Sequence, residues 1–337
     1  MDVGLTIAVL LAIAFAVTNG LHDASNAIAT LVATRAARPG QAIVLASVFN
    51  LLGPLVVGAA VADTIGGIVT VAPSSATVVI GMGLVGAVSW NLFTWRLGLP
   101  SSSGHALVGG LVGAALAEGG IQAVEWGGMD GLHPVGVFGT LIALAISPLL
   151  GALGALLLIR SLRRLARRAT SRWRGSVRGG QWVASSALAF SHGANDAQKA
   201  VGVIAALLLA GGEIDSLSAV PEWAPVACAA ALTAGTALGG WRIIRTVGRR
   251  IYHIQPIDGL ASQSASAGVI FGASLLGAPT STTQVVASSV VGVGGGRRRW
   301  RHVHWGIVRQ MVLAWLITLP ACAMIAAGLF WLWSWLT

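Results

Sequence analysis

The chain has 337 residues, of which 55% are hydrophobic and 9% charged, and its formal net charge is +10. Water-soluble domains carry roughly 25% charged residues, so a soluble fold of this length could not cover its apolar surface, and the chain reads as an all-α integral membrane protein in a lipid bilayer. The positive charge does not indicate a nucleic-acid partner, because the basic residues stand in short segments between apolar runs, where they report membrane orientation.

The first apolar run is predicted to cross the bilayer over 3–36. No Lys or Arg precedes Arg35, so the run lacks the basic start of a cleaved signal peptide and is expected to stay in the membrane. Arg35 and Arg38 close it, and a second crossing is expected over 41–62. The region 74–118 carries Pro100-Ser101-Ser102-Ser103 in its middle. A crossing over 135–159 follows, then a basic segment, 160–180, read as a short cytoplasmic loop with Arg160, Arg163, Arg164, Arg167, Arg168, Arg172, Arg174 and Arg178. Crossings over 181–211 and 223–241 lead to Arg242, Arg245, Arg249 and Arg250. The region 257–296 holds Pro279-Thr280-Ser281-Thr282-Thr283, and Arg297, Arg298, Arg299, Arg301 and Arg309 come after it. The last crossing, 305–335, ends in Trp331, Trp333 and Trp335, expected as an interfacial aromatic belt. Cys228 and Cys322 lie in apolar stretches and are expected to be buried packing residues.

All basic residues except Arg96 and Lys199 fall in these four clusters, and Asp2, Asp63, Glu118, Glu125, Asp130, Glu213, Asp215 and Glu222 fall between them. One threading satisfies both sets, with the arginine clusters cytoplasmic and the acids and both termini outside. It leaves 74–118 and 257–296 each entering and leaving on one side, as two re-entrant helical hairpins. Arg96 falls near the first tip, either attracting anions in a cavity or snorkelling to an interface.

The halves match. Gly20-Leu21-His22-Asp23-Ala24-Ser25-Asn26 aligns with Gly193-Ala194-Asn195-Asp196-Ala197-Gln198-Lys199, and Pro100-Ser-Ser-Ser-Gly-His105 with a glycine at 113 aligns with Pro279-Thr-Ser-Thr-Thr-Gln284 with a glycine at 292. The first Asp motif lies on an inward crossing and the second on an outward one. The expectation is two inverted-topology repeats, 1–159 and 181–337, with broken helices and a site at their interface near the midplane, as in secondary transporters.

Asp23 and Asp196 stand in mid-span, where a carboxylate costs at least about 2.5 kcal/mol in lipid. Gly20 and Gly193 are expected to let their helices break there. Ser101, Ser102, Ser103, Thr280, Ser281, Thr282 and Thr283 would start half-helices over 104–117 and 284–295, whose free N–H groups and dipoles favour an oxyanion. Two carboxylates beside an anion need positive compensation. Lys199, where the first half has Asn26, is one source, and a proton or metal cation at Asp23 another. His22, His105 and His192 adjoin these motifs, and histidine is the side chain whose ordinary pKa lies near neutral, which suits proton relay.

These motifs together resemble the inorganic phosphate transporter (PiT) family over nearly the whole chain. The family signature Gly-Ala-Asn-Asp is matched at Gly193–Asp196, whereas the first copy has His22 in place of its Asn. With Gln198-Lys199, that departure resembles the bacterial, proton-coupled branch. The resemblance implies symport of inorganic phosphate, alone or as a metal–phosphate complex, by an alternating-access homodimer in a bacterial inner membrane. The coupling ion would be H⁺ or Na⁺, there would be no resident cofactor or catalytic metal, and the chain would not be an enzyme. It implies phosphate binding by the hydroxyl turns and Asn195, and coupling through Asp23, Asn26, Asp196, Lys199, His22, Gln198, His105 and Gln284. The competing readings are a sulfate or other oxyanion permease, a passive channel, and an intramembrane serine hydrolase using Ser103 and His105.

Overall fold

The computed structural model describes residues 2–167, 173–238 and 251–337. Helix α1 (Val3–Ala33) is capped by Asp2, whose carboxylate accepts from the Leu5 N–H at 2.6 Å. Helix α2 (Pro39–Val56) contains Pro54 and gives way to the short α3 (Ala60–Gly66), so the crossing expected over 41–62 is broken near its end. Helices α4 (Pro73–Leu97) and α5 (Ser103–Gly119) follow, then a small hairpin of β1 (Gly128–Asp130) and β2 (His133–Val135). Helices α6 (Gly136–Ala166), α7 (Trp173–Ala210), α8 (Trp223–Leu238), α9 (Pro256–Leu275), α10 (Thr282–Gly296) and α11 (Trp305–Leu336) complete the described fold.

Six helical segments among the described residues are long and apolar enough to cross a membrane: Val3–Ala33, Pro39–Val56, Pro73–Leu97, Ser103–Ala123, Gly136–Ala166 and Trp305–Leu336. The protein is an integral membrane protein. On α6 the stripe Leu149, Leu153, Leu157 is exposed while Leu144, Ser147, Gly151, Ala155 and Ile159 are buried, a lipid face and a protein face at helical spacing.

The segment expected as a loop over 160–180 is largely helical, since α6 runs to Ala166 and α7 begins at Trp173. Arginine is a good helix former, so both helices extend past their apolar parts. The end of the crossing expected over 223–241, the cluster Arg242–Arg250, and Arg168 and Arg172 lie outside the described residues, as does the Arg174 side chain.

Both hydroxyl turns are helix breaks of one design. Gly98 ends α4 and Gly277 follows α9, each with φ of 66°. Two residues on stand Pro100 and Pro279, and two further on Ser102 and Ser281, whose hydroxyls cap α5 and α10 by accepting from the His105 and Gln284 N–H groups. A left-handed Gly ends each first helix, Pro prevents its continuation, and Ser starts the next.

The main packings come in exchanged pairs: α5 on α11 and α10 on α6, α2 on α7 and α8 on α1. Gly113 and Gly292, the aligned glycines, make the first two contacts close, because a Cβ would lie 2.2 Å from the Ala323 carbonyl and 2.1 Å from the Ala152 carbonyl. Gly20 and Gly193 do not break their helices; α1 and α7 run through them unbroken. A Cβ at Gly20 would lie 2.0 Å from the Leu232 carbonyl of α8, and one at Gly193 2.2 Å from the Asn50 carbonyl of α2. These glycines bring helices together.

Apolar side chains form two buried clusters. One takes Ala12, Phe15 and Ala16 of α1 with Ile204 and Leu207 of α7, and the other takes Ile28 and Leu31 of α1 with Leu188 and Ala189 of α7. Between them, on the same two helices, lie Asn19, His22, Asp23, His192, Asn195 and Asp196, all buried. The fold thus holds a polar layer between two apolar ones.

Candidate functional site

The polar layer centres on the two carboxylates. Asp23 Oδ2 accepts from Ser103 Oγ at 2.8 Å, and Asp23 Oδ1 accepts from Thr283 Oγ1 and stands 3.2 Å from His22 Nδ1. Asp196 Oδ2 accepts from Thr282 Oγ1 at 3.0 Å and lies 2.9 Å from His192 Nε2. Asp196 Oδ1 is paired with Lys199 Nζ, which also donates to the Thr280 carbonyl at 2.6 Å. Both breaks therefore meet at Asp23, the second also reaches Asp196, and Lys199 is held between α7 and the second break. All these side chains are at most 3% exposed, so their charges must be compensated within the layer.

The i+3 positions differ between the halves. Lys199 pairs with its own Asp196, whereas Asn26 donates across the halves to Thr282 Oγ1 at 3.2 Å and Thr283 Oγ1 at 3.0 Å. With its imidazoles neutral, the layer has two carboxylates and one ammonium. The starts of α5 and α10 add partial positive charge beside them.

Other expected residues take supporting places. Asn195 Oδ1 accepts from the Thr280 N–H and hydroxyl at 3.1 and 3.2 Å, and its amide donates to Ser274 and the Ala278 carbonyl, fixing the second break. Ser101 Oγ contacts Thr94 Oγ1 at 2.9 Å and His22 Nε2 at 3.2 Å. Ser281 caps α10 ahead of the buried Gln284. Gln198 faces away from the carboxylates, because its Oε1 accepts from the Val61 N–H of α3 at 2.9 Å. Arg96 is exposed in the last turn of α4, outside the polar layer. His105 Nδ1 lies 2.8 Å from Ser102 Oγ, while Ser103 donates to Asp23, so Ser103 and His105 do not form a nucleophile–base pair.

Sequence reasoning passed over several members of the layer. Thr94 joins Ser101 to His22. Asn50 of α2 and Thr236 of α8 stand behind His192. Asn19 and Asn91 are buried amides whose side-chain atoms have no hydrogen-bond partner among the described residues. Each is an amide within an apolar span, where polar groups are costly, a signal that could have marked them. One ligand atom each from Asp23, His192 and Asp196 lie within 4.8 Å of one another, a spacing that would suit a cation. Lys199 and the hydroxyls already serve these carboxylates, which makes a resident metal a poor fit.

Comparison with known proteins finds relatives over nearly the whole chain. The model described as the Phosphate transporter family matches residues 19–326. A Rhizobium meliloti protein described as "Probable low-affinity inorganic phosphate transporter" is 42% identical over 95% of this chain and 93% of its own length. A Bacillus subtilis protein with the same description is 37% identical over 97% of both chains, and one from Mycobacterium bovis is 42% identical over 96% of this chain and 76% of its own. A solved structure described as "The sodium-dependent phosphate transporter" has the same fold, with a TM-score of 0.86, 24% identity and full coverage of both chains.

Proposed function

This chain belongs to the phosphate transporter family, and on that premise we propose that it imports inorganic phosphate by proton symport through alternating access. It is a transporter and not an enzyme. The observation that carries the reading is the meeting of two helix starts, through Ser103 and Thr283, at one buried carboxylate, Asp23, in the layer where buried Lys199 pairs with Asp196.

The chemistry follows from hydroxyl donors. As an anion, Asp23 takes the hydroxyl hydrogens of Ser103 and Thr283. Protonated, it needs neither, and both can turn to a phosphate oxygen, joined by Ser101, Ser102, Thr280, Ser281 and Thr282 at the two breaks. Loss of the proton on the cytoplasmic side draws the hydroxyls back and adds a negative charge, both of which weaken anion binding. Proton and phosphate would therefore bind together and leave together. Lys199 is a built-in cation for Asp196, the role a second coupling ion would otherwise fill. Asn195 positions the second break, and Asn26 orients Thr282 and Thr283 from the opposite half.

The exchanged packings and the matched breaks support two inverted repeats, 1–159 and 181–337, with α4–α5 and α9–α10 as re-entrant hairpins. The placement of charges supports a bacterial inner-membrane protein with both termini outside. A homodimer completes the proposal.

The test is uptake of labelled phosphate into proteoliposomes under an inward proton gradient, with arsenate and sulfate as competitors. Accumulation above equilibrium that collapses with the gradient and yields to arsenate but not sulfate is expected. Stronger inhibition by sulfate would make this an oxyanion permease of another specificity. Equilibration without accumulation would make it a passive pathway.

A further inference from the structure

His192 has one committed nitrogen and one uncommitted nitrogen. Its Nδ1 lies 3.0 Å from Asn50 Oδ1, and Asn50 Nδ2 donates to Thr236 Oγ1 at 3.1 Å. The Thr236 hydroxyl donates in turn to the Leu232 carbonyl at 3.0 Å. This relay fixes the tautomer. Because the Thr236 hydrogen goes to Leu232, its oxygen receives the Asn50 amide, which turns the Asn50 carbonyl toward the imidazole and places a proton on Nδ1. A neutral ring then leaves Nε2 without a hydrogen, 2.9 Å from Asp196 Oδ2. That nitrogen is buried, and no group among the described residues makes an aligned hydrogen bond to it. A neutral nitrogen this close to a carboxylate gains nothing from it, and the positive charge of an imidazolium makes the contact attractive.

We propose that His192 Nε2 is a second proton-binding position of the transport cycle, with Asn50 as the positioning residue that sets its readiness to take the proton. The inference rests on the phosphate–proton symport reading and deepens it. Asp23, Asp196 and Lys199 sum to one negative charge. A proton on Asp23 brings the layer to neutrality, and a second on His192 makes it positive before a phosphate anion enters.

The charged groups around the ring are few. Its own helix supplies Asp196 and Lys199, and α1 supplies Asp23 with His22 beside it. From α2 and α8 come the uncharged Asn50 and Thr236. His105 of α5 stands near Lys199. On the other helices packed against α7, Asp63 lies on α3, Arg96 is exposed at the end of α4, and Asp258 is in the first turn of α9.

The proposal is tested by two measurements on the full chain. The first is the pH profile of phosphate uptake in proteoliposomes for wild type, Asn50→Asp and His192→Gln. A carboxylate at position 50 favours the imidazolium, so Asn50→Asp is expected to move an uptake midpoint about one pH unit or more toward alkaline. His192→Gln is expected to remove that ionisation and leave the one assigned to Asp23. An Asn50→Asp profile superimposable on wild type overturns the proposal. The second is NMR of isotopically labelled histidine in lipid nanodiscs, with His192→Gln identifying the resonance in wild-type spectra. Taken from pH 8 to pH 5, the sample is expected to gain the doubly protonated His192 ring, and more of it with inorganic phosphate present. A ring that stays in the neutral Nδ1–H form across that range, with and without phosphate, overturns it even if Asn50→Asp misfolds. Failure of wild type to take up phosphate would instead sink the symport reading, and the titration of the ring would still be measured.

Discussion

Ser103 and Thr283, on helices from opposite halves of the chain, donate to opposite oxygens of a single acceptor, the Asp23 carboxylate. A hydrogen bond to a charged group contributes about 1.5–3 kcal/mol, so this one residue ties both helix breaks into the polar layer. An amide at position 23 has one oxygen for two donors and no titratable proton. Asp23→Asn is expected to insert normally and to lower phosphate accumulation at least ~10-fold, the effect of about 1.4 kcal/mol. Accumulation at the wild-type level would refute the role given to Asp23.

Lys199 is buried against Asp196, and removal of one member of a buried ion pair costs about 3–5 kcal/mol. Lys199→Ala should therefore melt at a lower temperature in detergent than wild type. Lys199→Ala combined with Asp196→Asn should recover much of that loss, because no uncompensated charge remains. Neither variant should accumulate phosphate with the wild-type pH dependence. If Lys199→Ala transports with an unchanged profile, the lysine is not a built-in cation.

Much of the site was legible because polar residues in apolar spans are costly and these occur twice. Helical spacing carried further information. Asn26 and Lys199 stand three residues after their aspartates and share their face, whereas Gln198, two residues after Asp196, points around the helix to Val61 of α3. The motif resemblance alone hid that distinction. The glycines were harder to read. A glycine that ends a helix and one that admits a neighbour's backbone are the same residue in sequence, and only the Leu232 carbonyl beside Gly20 shows which it is. The relay behind His192 was illegible for a different reason, since Asn50 and Thr236 are 186 residues apart and meet only through packing of α2 on α8.

Gly113 seats α5 on α11, where an added Cβ would come within 2.2 Å of the Ala323 carbonyl and 2.4 Å of its Cα. Neither atom can move without the helix. Gly113→Ala is expected to destabilise the protein by about 3 kcal/mol or more, the upper range for overpacking. Gly81→Ala in α4, where nothing lies within 4 Å of the added carbon, should be neutral or slightly stabilising. Thermal unfolding in one detergent compares the two, and equal melting temperatures would remove the close-approach argument.

Arg297 Nη1 donates to Asp258 Oδ2 at 2.7 Å, joining the end of α10 to the first turn of α9. The same carboxylate accepts from the Gln255 N–H at 3.0 Å, and it is 1% exposed. One carboxylate thus caps α9 and closes the base of the second hairpin. Arg297→Met leaves that charge buried without its partner, and a loss of about 3–5 kcal/mol is expected. Adding Asp258→Asn removes the charge and keeps an oxygen for the Gln255 N–H, so the double variant should be more stable than Arg297→Met alone. Because the pair lies at the hairpin's base and not in the polar layer, the double variant should also retain phosphate accumulation. Thermal unfolding and uptake measured on the same preparations would separate the two effects. A double variant as unstable as the single one would mean that the arginine acts through packing and not through Asp258.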